Sequence, residues 1–328
     1  MDLQSVWGWQ PALYLFLGGM GAGAFIMAAI LYLRNRERNA RIICVSMWAA
    51  AISLVAGLLL LLLELVTPLR GLLMWQSFSN FASWMTYGAW GAFGAIIVFG
   101  ISAVLATPQA GALIARKCSW YARREGCVRR VFAVAGIALG AFVAFYTGML
   151  LMAPGSVPFW DTLLLPALFT VSAFDTGVAL VEVIAFVLAK KDAIGEDAKR
   201  FMEKCVVVLV TLEGVVLALF LGGMLSADSG TPIGAAAAAS AGMFVSGQLA
   251  VWFWGLVVVA GLLLPLAMAL KGLLVKKKAV PSEADGMDAV SLLGAAGALA
   301  GGCALRFLVL AAGVHADVIA DTVMRMIG

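Results

Sequence analysis

The chain has 328 residues, of which 63% are hydrophobic and only 12% are charged. So few polar residues cannot cover a water-soluble globule of this length, which excludes an ordinary soluble fold. The formal net charge of +4 comes from short basic loops rather than from a basic surface, so it does not indicate nucleic acid as a partner. The composition predicts an integral membrane protein whose solvent is the lipid bilayer.

Eight apolar stretches are long enough to cross a hydrocarbon core of roughly 30 Å, which takes about 20 helical residues. They lie near residues 10–33, 42–66, 83–106, 131–152, 162–189, 205–225, 244–270 and 289–312. The sequence therefore predicts an all-α protein with eight transmembrane helices in one membrane domain, residues 1–328. We expect two four-helix bundles, one over residues 1–155 and the other over residues 156–328.

The basic residues predict how the protein is oriented in the membrane. Nineteen of the 22 Lys and Arg residues lie in four segments, each between an odd-numbered and an even-numbered apolar stretch. Because basic residues close to membrane spans are retained on the cytoplasmic side, these four loops should be cytoplasmic. Both termini should then face outward.

Glycines recur at the spacing that lets transmembrane helices approach closely. The pairs and series are Gly19 with Gly23, Gly136 with Gly140, and Gly88 with Gly91 and Gly94. Small residues three or four positions apart form one helix face on which a neighbouring backbone can pack. These positions are predicted to be packing seams.

The sequence offers few ligands for a resident redox cofactor. Its one histidine, His315, lies beyond the last predicted span, which excludes a bis-histidine haem. The five cysteines, Cys44, Cys118, Cys127, Cys205 and Cys303, contain no close-spaced pair of the kind that binds zinc or an iron–sulfur cluster. We expect no haem, no iron–sulfur cluster and no metal site in this chain.

Five ionisable residues lie inside the apolar stretches: Glu64 in the second, and Asp175, Glu182, Glu213 and Arg306, which predict a proton path. An Asp or Arg at the centre of a bilayer costs at least about 2.5–3.5 kcal/mol, so such residues should face the bundle interior or water. Asp175 and Glu182 are seven residues apart and share one face of the fifth helix. Arg306 should pair with an interior acid, because it cannot neutralise itself.

Glu182 and Glu213 are each eight residues from the predicted cytoplasmic end of their helices. At 1.5 Å per residue both should lie about 12 Å deep on adjacent helices, so that protons could pass from the cytoplasm toward Asp175. The alternative is that these acids are buried, neutral and merely hydrogen-bonded between helices. The sequence leaves both interpretations open.

Several segments together resemble a known family. Residues 14–23 read YLFLGGMGAG, and residues 63–70 read LELVTPLR and lead into SWMTYGAW at 83–90. Residues 146–151 read YTGMLL and are followed by PFWD at 158–161 and LPALF at 165–169. In this order the segments resemble the NrfD-like family, the membrane subunits of polysulfide-reductase type. The resemblance covers most of the sequence.

The resemblance implies a function and a set of site residues. Members of the family handle quinol or quinone near the outer surface, within the first four helices. The matching quinone-binding residues are Tyr14, Gly18, Gly19, Glu64, Ser83, Tyr146 and Thr147. Tyr146 would donate a hydrogen bond to a quinone oxygen and Glu64 would exchange the proton, which makes these two the catalytic pair. Polysulfide reductase also has a first-helix histidine near the quinone, and this protein has none.

The resemblance also implies partners and a location. The protein would anchor an iron–sulfur subunit on its outer face and, through it, a molybdopterin catalytic subunit, in the cytoplasmic membrane of a prokaryote. A bound quinone such as menaquinone would be its redox substrate, and the chemistry of the complex would lie in another polypeptide. Two alternatives are an ion or small-solute transporter that uses the four residues of the predicted proton path, and a purely structural anchor. Whether iron, sulfur and molybdenum co-purify with the protein separates transport from the other two.

Overall fold

The computed structural model describes residues 3–4, 7–35, 39–64, 84–152, 155–189, 194–274 and 289–316. Within these ranges the backbone is helical apart from short turns and a single antiparallel bridge between Leu3 and Val314. The helices are α1 (Trp9–Arg34), α2 (Ala40–Glu64), α3 (Trp84–Ala106), α4 (Pro108–Lys117), α5 (Ser119–Met152), α6 (Leu164–Leu188), α7 (Glu196–Leu225), α8 (Pro232–Val245), α9 (Ala250–Leu274) and α10 (Ala289–Ala311).

Eight helices in the described ranges are long and apolar enough to cross a membrane, namely α1, α2, α3, α5, α6, α7, α9 and α10. The predicted all-α fold with eight membrane-spanning helices is therefore confirmed. Helices α1, α2, α3 and α5 pack in one ring, and α6, α7, α9 and α10 pack in a second. The two rings meet where α1 and α5 pack on α6, and where α1 also contacts α10.

Three predicted helix boundaries are wrong. Helix α5 begins at Ser119 rather than near 131, with a kink at Arg124, where φ is −126° and ψ is 15°. Helix α7 begins at Glu196 rather than near 205, and α9 runs over Ala250–Leu274 rather than 244–270. The apolar pattern marks only the part of a helix in lipid, whereas Arg, Lys and Glu are good helix formers and extend α5 and α7 into the polar region.

Two helices were not predicted because neither is long enough to span a bilayer. Helix α4 starts with Pro108 at its first turn and ends in Arg116 and Lys117. Helix α8 starts at Pro232, and its N-cap Thr231 accepts a hydrogen bond from the amide of Gly234 (3.1 Å). Proline at the first helical position has a suitable φ and lacks only an N–H that would have no partner within the helix. Helix α8 packs on α7 and α9.

The predicted glycine seams are confirmed and determine how the rings pack. A side chain at Gly23 would overlap the Ala173 carbonyl of α6, and one at Gly177 would overlap the Gly23 backbone. Helices α1 and α6 therefore cross with their backbones in contact, which only glycine allows at these positions. A side chain at Gly136 would overlap the Phe25 ring, and one at Gly140 would crowd Ile26 at 3.1 Å.

Helix α9 contains an unusual stretch. Its residues Phe253–Leu263 form a π-helix, in which each amide bonds to the carbonyl five residues earlier. This stretch packs on α10 through Gly261 and Gly301, where a side chain at Gly261 would lie 2.8 Å from the Gly301 Cα atom. π-Turns are rare and often lie at functional sites.

Candidate functional site

The first ring contains a tyrosine cluster, which we define as Tyr14, Gly18, Gly88, Tyr146 and Thr147. Tyr14 and Gly18 lie one helical turn apart on α1, Gly88 lies on α3, and Tyr146 and Thr147 lie on α5. All five residues are buried. A side chain at Gly18 would meet the Tyr14 ring and the Thr147 methyl group, both at 4.0 Å, so Gly18 faces these two residues.

Tyr146 is held in place by glycines of α3. A Cβ atom at Gly88 would overlap the Tyr146 ring and its hydroxyl, and one at Gly91 would overlap the Phe142 ring. Phe142 and Tyr146 are one turn apart on α5 and stack with ring centroids 6.1 Å apart and planes inclined at 14°. The α3 glycine series therefore forms a groove that receives an aromatic pair from α5.

The two residues after Tyr146 have different roles. The Thr147 hydroxyl donates a hydrogen bond of 2.7 Å to the Ala144 carbonyl, which leaves its oxygen as an acceptor. A side chain at Gly148 would overlap Pro166 at the start of α6. In this Tyr-Thr-Gly sequence, the Tyr146 ring packs against α3, the Thr147 hydroxyl bonds to its own helix, and Gly148 contacts α6.

The remaining predicted quinone-binding residues are Gly19, Glu64 and Ser83. Glu64 is the last residue of α2, and its side chain lies outside the part that the structure describes, as does Ser83. Gly19 faces away from the tyrosines. The space beside its Cα atom is bordered by Ala173 of α6 and the Arg306 guanidinium, each 3.1 Å from where a Cβ atom would lie.

Arg306 lies fully buried between the two rings, with 0% of its surface exposed. Its guanidinium donates hydrogen bonds to the Gly302 carbonyl (2.7 Å), the Ser172 hydroxyl (3.2 Å) and the Phe169 carbonyl (3.4 Å). The rings of Phe169 and Phe16 lie 5.2 and 5.8 Å from the guanidinium carbon. These acceptors are uncharged, so the predicted pairing of Arg306 with an interior acid is indirect: Glu213, which lies close to Ser172, interacts with the Arg306 charge.

The acids form a series along α6 and α7. Glu213 of α7 lies close to Ser172 and interacts electrostatically with Arg306 and Asp175. Asp175 is 2% exposed, and within the described ranges its Oδ1 atom has no hydrogen-bond partner. Glu182 lies two turns further along α6. Together with Glu203 of α7, these acids and Arg306 make up what we call the buried charge network.

Glu182 and Glu213 do not lie at the same depth, so that prediction is wrong. Glu213 approaches Ser172 and Arg306, whereas Glu182 lies ten residues further along α6 than Ser172 and interacts with Glu203 and Lys199. The error follows from the boundary of α7. Because the helix begins at Glu196, Glu213 is about 25 Å from its start at 1.5 Å per residue.

Sequence reasoning missed Glu203 and Ser172 as members of the network. Glu203 is 4% exposed and lines a small cavity together with Asp175 and Glu182. It was overlooked because the predicted helix started at 205, which placed Glu203 in a cytoplasmic loop. One sequence signal could have indicated Glu203. It lies four residues after Lys199, as side chains that interact on one face of a helix do, and the helix extends past the apolar stretch.

No three His, Cys, Asp or Glu side chains converge as a metal-ligand set in the part of the sequence that the structure describes. The two sites are therefore defined by aromatic, hydroxyl, carboxyl and guanidinium groups. These features define a polytopic membrane protein with a tyrosine cluster in one helical ring and a buried charge network in and beside the other.

Comparison with known proteins identifies the family. The family model described as "Polysulphide reductase, NrfD" matches residues 1–316. The protein belongs to the NrfD family.

Individual relatives agree with this assignment. The protein is 30% identical over 321 residues to one of the chains of the polysulfide reductase of Wolinella succinogenes, and the match covers 94% of each sequence. It is 27% identical to protein NrfD of Escherichia coli K12, covering 94% of this sequence and 95% of that one. A shorter match, 24% identical over 54% of this sequence and 47% of the relative, is to one of the subunits of the selenate reductase of Mesobacillus selenatarsenatis. The protein is thus a multi-pass membrane protein related to bacterial membrane subunits of reductases.

Proposed function

We propose that the protein is the quinol- and quinone-interacting membrane subunit of a respiratory oxidoreductase complex. It passes electrons between the quinone pool and an iron–sulfur subunit on its outer face, and that subunit connects it to a molybdopterin catalytic subunit. The observation that carries the proposal is the family match over residues 1–316, which includes both sites. The relatives named as individual components of polysulfide reductase and of selenate reductase support the assignment to a complex.

The tyrosine cluster is the proposed quinone site. Tyr146 donates a hydrogen bond to one quinone oxygen, and Thr147, whose own proton is used by Ala144, accepts one from the quinol form. Tyr14 borders the site, and Gly18, which has no side chain, leaves a space between α1 and α5 in which a Cβ atom would lie 4.0 Å from the Tyr14 ring and the Thr147 methyl group. Glu64 at the outer end of α2 takes or gives the quinol proton, and Ser83 lies near it in the sequence motif.

The buried charge network is the proposed proton path. Asp175, Glu182 and Glu213 carry protons through the second ring, and Arg306 ends the path beside Gly19 of α1. The contact between Arg306 and Gly19 supports a link to the quinone site, because the preceding residue, Gly18, belongs to the tyrosine cluster. Acids and a fully buried arginine in membrane helices usually mark such paths.

The four basic loops support a cytoplasmic membrane location with both termini outward. The same acids would suit an ion transporter, which is the second candidate function. The two candidates differ in what accompanies the protein. A transporter functions without redox partners, whereas the proposed subunit binds redox-active ones.

The test is purification of the native complex through a tag on this protein in mild detergent. We expect iron–sulfur and molybdenum signals in the purified material, and a quinone in its organic extract. Isolation of the protein without either signal would reject the proposal in favour of transport. Metal signals with no extractable quinone, and no oxidation of added quinol, would leave only the structural anchor.

A further inference from the structure

A small cavity lies among α6, α7, α9 and α10 in the second ring. Its volume is about 10 Å³, roughly what a single water molecule needs. Three of its lining residues are acids, Asp175, Glu182 and Glu203, and the rest are mainly small or apolar. A cavity with polar lining groups and room for a water molecule is able to bind one, whereas genuinely empty cavities in proteins are apolar.

The unpaired oxygen of Asp175 independently indicates a ligand in this cavity. Asp175 is 2% exposed, lines the cavity, and its Oδ1 atom has no hydrogen-bond partner among the residues that the structure describes. Buried polar atoms in folded proteins are almost always hydrogen-bonded to protein or to ordered water. A water molecule in the cavity would satisfy this atom.

Glu203 lies on the side of the cavity nearest the start of α7. It is seven residues from Glu196, the first residue of the helix, and it interacts with Glu182. Its carboxyl group lies against Gly272 of α9, where a Cβ atom would overlap the Glu203 Oε1 atom. The missing side chain at Gly272 therefore determines where the Glu203 carboxyl group can lie.

We propose that the cavity holds a water molecule that relays protons, and that Glu203 is the residue that takes them up at the predicted cytoplasmic end. This inference rests on the proposed proton path. The Glu203 carboxyl group gives its proton to the water oxygen, and the water gives a different proton to Glu182 or Asp175. One O–H bond breaks as another forms at each step, and Glu203 is then reprotonated from the cytoplasm. Gly272 acts as a positioning residue for Glu203.

The experiment uses the whole complex in sealed vesicles, with proton movement and electron transfer measured together during quinol turnover. We expect Glu203→Gln to abolish proton uptake at the cytoplasmic side while quinol oxidation in detergent continues. Glutamine has a similar shape and hydrogen-bonds, but it cannot release a proton to water. The matched control is Glu196→Gln on the same helix, because Glu196 is 40% exposed and pairs with Arg200 at the surface.

Gly272→Ala tests the geometry without removing any acid. We expect it to lower proton uptake in the wild-type protein and to have no further effect in the Glu203→Gln variant. A wild-type complex that takes up no cytoplasmic protons would reject the proton path itself. Wild-type uptake that persists unchanged in Glu203→Gln would reject the role of Glu203 alone. Loss of uptake in Glu196→Gln as well would also reject it, because the effect would not be specific to the cavity.

Discussion

At the scale of single residues, the chemistry of the proposed quinone site depends on a residue that has no side chain. Tyr146 reaches its position because Gly88 leaves the space that its ring fills, and Phe142 stacks beside it over Gly91. A tyrosine held on both sides loses little further freedom when a ligand binds. It can therefore present its hydroxyl at a fixed point.

Tyr146→Phe removes that hydroxyl and keeps the ring. We expect normal assembly and a three- to tenfold weaker apparent affinity for quinol, since one hydrogen bond is worth roughly 0.5–1.5 kcal/mol net. Steady-state quinol oxidation by the purified complex measures the effect. Unchanged kinetics at native protein levels would remove Tyr146 from the site.

Glu64→Gln should act on a different kinetic parameter. The amide retains the shape of the carboxyl group but cannot exchange a proton, so we expect kcat to fall more than binding weakens. The same quinol assay, with bound quinone measured separately, distinguishes the two effects. A variant with weaker binding and unchanged kcat would assign Glu64 to binding rather than to proton exchange.

Gly88→Ala should disturb the site without touching any polar group. The added methyl group overlaps the Tyr146 ring, and overpacking of this kind costs typically about 1–3 kcal/mol. We expect lower thermal stability together with weaker quinol affinity. Gly100→Ala on the same helix is the control, because no atom of the described residues lies within 4 Å of its Cβ position. Equal effects from both substitutions would argue against a specific role for Gly88.

At the scale of helices, the basic segments form ordered structure as well as loops. Helix α4 and the start of α5 carry Arg116, Lys117, Arg123 and Arg124, with the kink at Arg124. Arg124 lies over the ring of Trp120, 5.8 Å from its centroid. Two native cysteines, Cys118 and Cys127, are exposed in this region.

These cysteines test the orientation of the protein directly. We expect a membrane-impermeant thiol reagent to label Cys118 and Cys127 in inverted vesicles and not in intact cells, because basic loops stay in the cytoplasm. The Cys118→Ser, Cys127→Ser double variant gives the background from the remaining cysteines. Labelling from outside intact cells would reverse the topology and the assignment of every inner and outer site.

The helices also show which features of the fold can be predicted from sequence patterns. Eight apolar stretches and the glycine seams were predictable because hydropathy and small-residue spacing are local properties of the sequence. The partners of Arg306 were not predictable, since its acceptors on α6 and α10 depend on how distant helices pack. Glu203 was missed because averaging over an apolar stretch assigns the polar end of a helix to a loop.

At the scale of the whole molecule, α1 brings the two sites together. Adjacent residues of this helix face different rings, with Gly18 beside Tyr14 and Thr147, and Gly19 beside Arg306. The backbone contact between Gly23 and Gly177 fixes the crossing of α1 and α6 close by. The family resemblance indicated most of the tyrosine cluster through sequence motifs. That the buried charge network lies next to this cluster depends on how distant helices pack, so residue spacing could not predict it.

The π-helical stretch of α9 bears on how the protein can tolerate changes in length. A π-turn contains about one residue more than an α-turn, so deleting one residue there converts an i→i+5 hydrogen bond into an i→i+4 hydrogen bond. The helix segments on either side then keep their rotational orientation about the helix axis. In a regular α-helix the same loss rotates everything beyond it by about 100°, because 3.6 residues make one turn.

Deleting Val259 from the π-helical stretch should therefore leave Gly272 facing Glu203 and still give folded protein. Deleting Val208 from α7 should turn Glu213 away from Ser172 and prevent folding. Both valines are exposed, so lost packing of the side chain itself contributes little to either result. Yields of monodisperse protein after extraction from membranes measure the difference, and equal losses would contradict it. The π-helical stretch thus gives α9 one residue more than a regular α-helix would need for the same number of turns. The number of residues in the seventh span can therefore vary without rotating the residues at either of its ends.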